Sequence, residues 1–125
     1  MKQLILILLT IISLHVHGQS SSEGLVGIYE SVGNKFERHS ILILKKDSVF
    51  IYKYGVGGCQ GEIKGNWIIE NNKVRFTNDQ EFLNHQTIFY PNLSLATWTV
   101  KKNAVKPDSL VDSGCIKENQ IHLKK

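Results

Sequence analysis

The chain has 125 residues, which suits one domain, and its formal net charge is +4 at pH 7. The lysines are scattered, largely as pairs beside candidate turns, and do not form one long basic run. This distribution favours an ordinary solvated surface and argues against a nucleic-acid partner. The alternative is that the lysines form a patch that binds an anionic polymer.

The N-terminus has the pattern of a secretory signal peptide. Lys2 precedes an apolar run from Leu4 to Leu14, and Val16 and Gly18 suit positions −3 and −1 of a cleavage site. The run is well short of the ~20 residues that a membrane-spanning helix needs. We therefore expect an exported protein, periplasmic or extracellular, with no stable membrane span after cleavage.

Cleavage would divide the chain into three parts. We expect a signal peptide over residues 1–18, a disordered tail over residues 19–23 and one folded domain over residues 24–125. The mature chain is large enough for one core, and we expect it to be monomeric.

Two cysteines remain after the signal peptide, Cys59 and Cys115. Export implies an oxidising compartment, so the sequence predicts a disulfide between them. It would close a loop of about 57 residues and stabilise the fold by roughly 4 kcal/mol through chain entropy. Two free thiols, or a thiol linked to a partner, are the alternatives.

The dominant hydrophobic period in the domain is two residues, which indicates strands. Residues 73–77 alternate cleanly, and Phe50, Tyr52 and Tyr54 share one face of another strand. Residues 41–44 are apolar on both faces, which predicts a strand covered on both sides or one with a face toward a cavity.

Residues typical of tight turns separate these strands. They are found at Gly33-Asn34, Lys46-Asp47-Ser48, Asn71-Asn72 and Glu118-Asn119, and the last pair is expected to turn a final hairpin. Short strands at even spacing predict an all-β fold, a small antiparallel β-barrel or β-sandwich of about seven or eight strands.

The residues that usually carry chemistry form no recognisable motif. His39, His85 and His122 lack metal-ligand spacing and are expected at the surface, so we predict neither a metal site nor a cofactor. No serine lies in a nucleophile elbow, and the paired carboxylates fall in candidate exposed turns. We therefore do not expect an enzyme. The glycine-rich run 55–61 is interpreted as a wide hairpin connection pinned at Cys59, or alternatively as a flexible mouth loop.

Aromatic side chains give the best indication of a binding site. Tyr52, Tyr54, Trp67 and Trp98 are predicted to point inward, where they either fill a small barrel or line a ligand cavity. A buried tyrosine needs a hydrogen-bond partner, and a ligand can supply one.

Three segments carry a resemblance to a known family. They are Gly27-Ile28-Tyr29, the stretch Leu44-x-x-Asp47-Ser48-x-Phe50-x-Tyr52, and Gly65-Asn66-Trp67. Over residues 24–77 the chain resembles small lipocalin-like exported proteins of Gram-negative bacteria. True lipocalins are longer and usually open with Gly-x-Trp. The resemblance implies a β-barrel in the cell envelope more than any particular activity.

We therefore expect a non-catalytic binding module of the cell envelope that holds a small apolar or amphipathic ligand at the four inward aromatics. The alternative is a module that binds an envelope protein, as a hydrolase inhibitor or an assembly factor, through loops 55–61 and 106–114.

Overall fold

The computed structural model describes residues 22–33, 38–79, 91–112 and 116–125. These residues form one short α-helix, ten strands and a 3₁₀ turn over Leu93–Leu95. The helix and strands are α1 (Ser22–Leu25), β1 (Gly27–Ser31), β2 (His39–Leu44), β3 (Val49–Val56), β4 (Cys59–Glu70), β5 (Lys73–Asn78), β6 (Trp98–Lys101), β7 (Ala104–Pro107), β8 (Val111–Asp112), β9 (Lys117–Glu118) and β10 (His122–Lys124).

Eight of the described strands close into an antiparallel barrel in the order β1-β10-β7-β6-β5-β4-β3-β2. Strands β1 to β7 form a meander in which each strand pairs with the next, and β10 closes the barrel between β7 and β1. This confirms the predicted all-β class and selects the barrel over the sandwich. The architecture is compatible with a lipocalin-like barrel.

The period of two places alternate side chains inside the barrel. On β3, Phe50, Tyr52 and Tyr54 are buried, while Lys53 between them is exposed. On β5, Val74 and Phe76 are buried, as the alternation predicts. The sequence left two settings open for residues 41–44, cover on both sides or one face toward a cavity. The structure places the inward side chains of β2 in the core and leaves its outward ones half-buried, so cover on both sides is incomplete.

The barrel has two unlike ends, which follow from the strand directions. At the first, the turn end, tight turns join β2 to β3, β4 to β5 and β6 to β7, and α1 and the last residues of β10 lie beside them. At the second, the loop end, longer connections join β1 to β2, β5 to β6 and β7 to β10, beside the tight turn between β3 and β4. The turn end therefore leaves less room for variable loops than the loop end.

The sequence of the turn end suits its tight turns. Ser48, Asn71, Asn72 and Asn103 all have positive φ values, between 50° and 64°. Asparagine tolerates this region better than most residues, and two successive positive φ values at Asn71 and Asn72 match the twist of a two-residue hairpin.

Helix α1 packs against the turn end. Leu25 belongs to the core, and its carbonyl oxygen accepts a 2.8 Å hydrogen bond from the hydroxyl of Tyr29. Burial raises the pKa of Tyr29 above its ordinary value. The helix includes Ser22 and Glu23, the last two residues of the predicted tail; residues 1–21 lie outside the described residues.

The glycine-rich run forms a tighter connection than the sequence predicts. Strand β3 continues to Val56 and β4 begins at Cys59, so only Gly57 and Gly58 make the turn. Gly57 has a φ of 52°, a conformation that favours glycine. Cys59 is half-buried against the core. Cys115 lies outside the described residues, so the disulfide stays a prediction.

The expected final hairpin is replaced by a separate ribbon. Strand β9 pairs with β8 and not with β10, through Val111 opposite Glu118. The ribbon buries Val111, Ile116 and Glu118, so it lies over the loop end with one face against the core. Glu118 is thereby buried in the barrel and does not lie at a turn.

A polar network on the outer wall supports the short pairing of β5 with β6. Asp108 accepts hydrogen bonds from Thr97, at 2.6 Å, from Thr99, and from Lys73, at 2.9 Å. The hydrogen bonds from Thr97, Thr99 and Lys73 lower the pKa of Asp108 to about 2. The carboxylate therefore links side chains of β5 and β6 across a seam that has only two residue pairs.

Among the described residues, no helix is long and apolar enough to cross a membrane.

Gly65 of β4 lies where β3 and β5 approach it closely. A Cβ at this position would overlap the carbonyl oxygen of Thr77 and lie 2.6 Å from Cε1 of Phe50. We expect Gly65→Ala to lower the free energy of unfolding by about 2 kcal/mol, as overpacking does, when measured by urea denaturation.

Gly58→Ala is the matched control, because a Cβ there meets nothing within 4 Å. It should change the free energy of unfolding by less than about 0.5 kcal/mol. Equal effects of the two variants would contradict the described packing at Gly65.

Candidate functional site

Four polar side chains meet inside the barrel near its loop end. Ser40 comes from β2, Tyr52 from β3, Glu118 from β9 and His122 from β10, and each is at most 1% exposed. A buried carboxylate beside a buried imidazole is unusual in a small core, because charged groups lose hydration there unless they are paired. This polar cluster is the candidate site.

The cluster is held together by short contacts to one oxygen. Oε1 of Glu118 accepts hydrogen bonds from the hydroxyl of Ser40, at 2.5 Å, and from that of Tyr52, at 3.1 Å. Nε2 of His122 lies 2.9 Å from the same oxygen and 2.7 Å from Oγ of Ser40.

The partners of His122 fix the orientation of its ring. Nδ1 lies 3.0 Å from the carbonyl oxygen of Gln120, which can only accept a hydrogen bond, so Nδ1 is placed as a donor. Nε2 faces Oε1 of Glu118 and Oγ of Ser40.

The surroundings of Glu118 favour its ionised form. Burial acts to raise its pKa, but the hydrogen bond and charge of His122, with the hydrogen bonds of Ser40 and Tyr52, outweigh burial and hold the pKa below its usual range. The pKa of Tyr52 is raised well above its ordinary value by burial first and by the charge of Glu118 second. Tyr52 is therefore a hydrogen-bond donor at neutral pH.

Neighbouring groups position the cluster. Oγ of Ser31 accepts a 2.9 Å hydrogen bond from the backbone N–H of Ser40, which fixes the start of β2 against β1. Arg38 donates to the carbonyl oxygen of Lys117 and, at 3.0 Å, to Oδ1 of Asn119, so it holds the chain on both sides of Glu118.

Four buried polar atoms have no hydrogen-bond partner among the described residues, namely Nδ1 of His39, Oε1 of Gln120, Oε2 of Glu118 and Nε1 of Trp98. The last two, an acceptor and a donor, belong to the barrel interior. Both residues are completely buried. The Trp98 ring lies 5.3 Å from the ring of His122, so the two residues share one interior region. Unpartnered buried polar atoms are rare in folded proteins and need a physical account.

The structure brings together three of the four predicted aromatics. Tyr52 stacks on Tyr54 at 5.8 Å and contacts Glu118, and Trp98 contacts His122 from the other side. Trp67 has a different setting: its indole N–H donates a 3.1 Å hydrogen bond to the carbonyl oxygen of Lys45 in a turn of the turn end.

The prediction that the histidines lie at the surface was wrong for His122, which is fully buried. His39 is half-buried and lies 3.4 Å from Glu30, and His85 is outside the described residues. Ser40 and Glu118 were also missed. Alternation within His122-Leu123-Lys124 is the one local signal for an inward histidine, and the strand is too short for that signal to stand out.

Comparison with protein families, with curated proteins and with solved structures found no match to this chain. The lipocalin-like resemblance is therefore supported at the level of the barrel architecture alone. Function has to be argued from the chemistry of the interior.

The Glu118–His122 pair predicts a specific pH dependence of stability. Glu118→Gln should lower the free energy of unfolding by about 3 kcal/mol at neutral pH, because it removes one partner of a buried pair. A depressed pKa stabilises the fold above the pKa of the unfolded chain, about 4.3 for Glu. That stabilisation is lost as the pH falls through the lower folded-state pKa. The difference between wild type and variant should therefore be present above about pH 5 and shrink below about pH 4.

Urea denaturation at a series of pH values measures this difference. Glu62→Gln is the matched control, since Glu62 is an exposed carboxylate on the outer wall with lysine partners at 3.9 and 4.0 Å. It should change stability by less than about 1 kcal/mol at every pH. A Glu118→Gln variant as stable as wild type at neutral pH would show that the pair makes no net contribution.

Proposed function

We propose that this protein is an exported, non-catalytic binding module of the cell envelope, lipocalin-like in design, that holds a small amphipathic ligand inside its barrel. The ligand would enter from the loop end. Its apolar part would pack among the interior aromatics, and its polar group would meet Glu118.

One observation carries the proposal: the fully buried Oε2 of Glu118 has no hydrogen-bond partner among the described residues. A buried carboxylate oxygen gains stability from a donor, so the position suits a donor that the described chain does not supply. Nε1 of Trp98, a donor, likewise has no described partner and leaves room for an acceptor group of a ligand in the same interior. A hydroxyl group can donate to one of these atoms or accept from the other.

The charge of the site selects the ligand class. Glu118 is held ionised by its neighbours, so a carboxylate head group, as in a fatty acid, would meet a like charge at low dielectric. An alcohol or an amine would instead donate to Oε2. The aromatic neighbours Tyr52, Tyr54 and Trp98 suit an apolar body attached to that head group.

The same cluster argues for binding over catalysis. Ser40 beside His122 has the composition of a nucleophile and base, but the Ser40 hydroxyl donates to Glu118 and not to an imidazole lone pair.

Matched amphiphiles test the proposal. The protein isolated from its own host is titrated with dodecanol, dodecylamine and dodecanoic acid, and the fluorescence of its tryptophans is followed. We expect the alcohol or the amine to bind at least about tenfold more tightly than the acid, because of the charge of Glu118. Binding of none of the three, or preference for the acid, would contradict the proposal.

Glu118→Gln with Glu62→Gln as its control separates the site from the surface. We expect the first variant to lose the discrimination against the acid and the second to keep it. Native mass spectrometry of the wild type gives a separate reading, because a retained ligand would add on the order of a few hundred daltons. The same spectrum would show a loss of about two daltons if Cys59 and Cys115 are bridged.

A protein-binding module is the second candidate, and the loop end supplies the observation that favours it. Leu110 is 49% exposed in the connection that follows β7. At the same end, Gly57 and Gly58 have open space around them. An exposed apolar side chain and an open turn at the same end of the barrel suit contact with a hydrolase or an envelope assembly partner.

Leu110→Asp tests this second candidate against Ile68→Asp, which alters an equally exposed residue on the outer wall of β4, 51% exposed. If the loop end binds a protein, Leu110→Asp alone should abolish the capture of that protein from envelope extracts in a pull-down. Unchanged capture by both variants would remove the loop end as the contact surface.

A further inference from the structure

The turn end of the barrel gathers lysines from separate parts of the chain. They are Lys45 and Lys46 between β2 and β3, Lys101 at the end of β6 with Lys102 after it, and Lys124 at the end of β10 with Lys125 after it. Nearby acids are fewer, namely Glu23, Glu30, Asp47 and Glu70, and Glu30 forms an ion pair with Lys125. The lysine pairs look scattered along the sequence, but the strand directions bring them to one end.

Four of these lysines differ from most other cations of the described chain. Lys45, Lys46, Lys101 and Lys102 are exposed and form no salt bridge with any described residue. Elsewhere, acid partners are present for most basic residues, as the following pairs show: Lys53 and Lys64 with Glu62, Lys73 with Asp108, Arg75 with Glu70, and Lys117 with Asp112. The uncompensated positive charge is thus concentrated at the turn end.

Two open clefts lie beside α1 at this end. One has a volume of about 370 Å³ and is lined by Lys101, Lys102, Asn72 and Asn103 over an apolar floor that includes Leu25. The other, of about 390 Å³, is lined by Lys46, Ser48 and Trp67 with Glu23 of α1 and Val26. The first cleft suits an anionic head group, because its ammonium and amide donors lie beside apolar side chains and no acid lines it.

The apolar side chains near this end favour a lipid surface over a nucleic acid. Ile28, Ile68 and Leu123 are each about half exposed on the wall that flanks the turn end. The exposed large hydrophobic residues among the described ones are all aliphatic, whereas single-stranded nucleic acids bind to exposed aromatic platforms.

From this arrangement we propose that the turn end is a membrane-contact surface, which places the unpaired lysines against the head groups of anionic lipids. Each lysine near such a surface adds to the attraction, and the attraction falls with ionic strength. This inference is independent of any ligand inside the barrel.

Vesicle co-sedimentation tests the proposal on the chain as isolated from its host. Vesicles of phosphatidylcholine alone are compared with vesicles that contain about 30% phosphatidylglycerol, at about 50 mM and about 300 mM salt. We expect binding that depends on phosphatidylglycerol and weakens with salt. Any binding to the neutral vesicles through a retained apolar segment serves as the baseline.

Two fourfold variants with the same loss of charge locate the surface. Replacement of Lys45, Lys46, Lys101 and Lys102 by Gln should weaken binding to the anionic vesicles by about tenfold or more. Replacement of Lys53, Lys64, Lys106 and Lys117 by Gln should weaken it by less than about threefold. Equal losses in both variants would mean that net charge alone drives binding and would overturn the proposal. Binding to soluble polyphosphate without binding to the anionic vesicles would overturn it in favour of a polymer partner.

Discussion

Closure of the barrel by β10 is the constraint on which the rest of the structure depends. This three-residue strand pairs with β1 on one side and with β7 on the other, so it joins the two ends of a seven-stranded meander. A closed barrel leaves no strand edge within it unpaired, which removes a route to aggregation. Closure also carries His122 into the interior, where its ring contacts Trp98 and its Nε2 faces Glu118.

The polar cluster follows from that closure and from the ribbon that precedes it. Strand β9 belongs to the ribbon, yet the side chain of Glu118 enters the barrel. There it contacts Ser40 of β2, Tyr52 of β3 and His122 of β10. An apolar residue at position 118 would fill the space with no need of partners, and a buried ion pair is often no more stable than such a replacement. Stability alone therefore does not explain a charged pair in a small core, and the proposed function gives Glu118 the polar group of a ligand to bind.

The two ends of the barrel have different proposed roles. The loop end holds the ribbon, the exposed Leu110 and the polar cluster beneath them, so variation in ligand or partner would be expected there. The turn end has tight turns fixed by residues of positive φ, and four of its lysines form no salt bridge with a described residue. A module with a membrane-facing turn end would direct its loop end away from the bilayer, where a ligand or a partner can reach it.

The sequence by itself determined the strands and their inward faces. Alternation at Phe50-Tyr52-Tyr54 and at Val74-Phe76 predicts the buried sides of β3 and β5, since side chains on a strand repeat every two residues. The asparagine-rich turns predict the tight hairpins for an equally local reason. Only the tertiary structure decided that Ser40 lies 2.7 Å from His122, 82 positions later, and that lysines from two connections and from the end of β10 meet at one end. Such contacts depend on strand order and barrel closure, and neither can be recognised from a periodic pattern in the sequence. Short segments such as Lys117–Glu118 and His122–Lys124 are too brief to show which face turns inward.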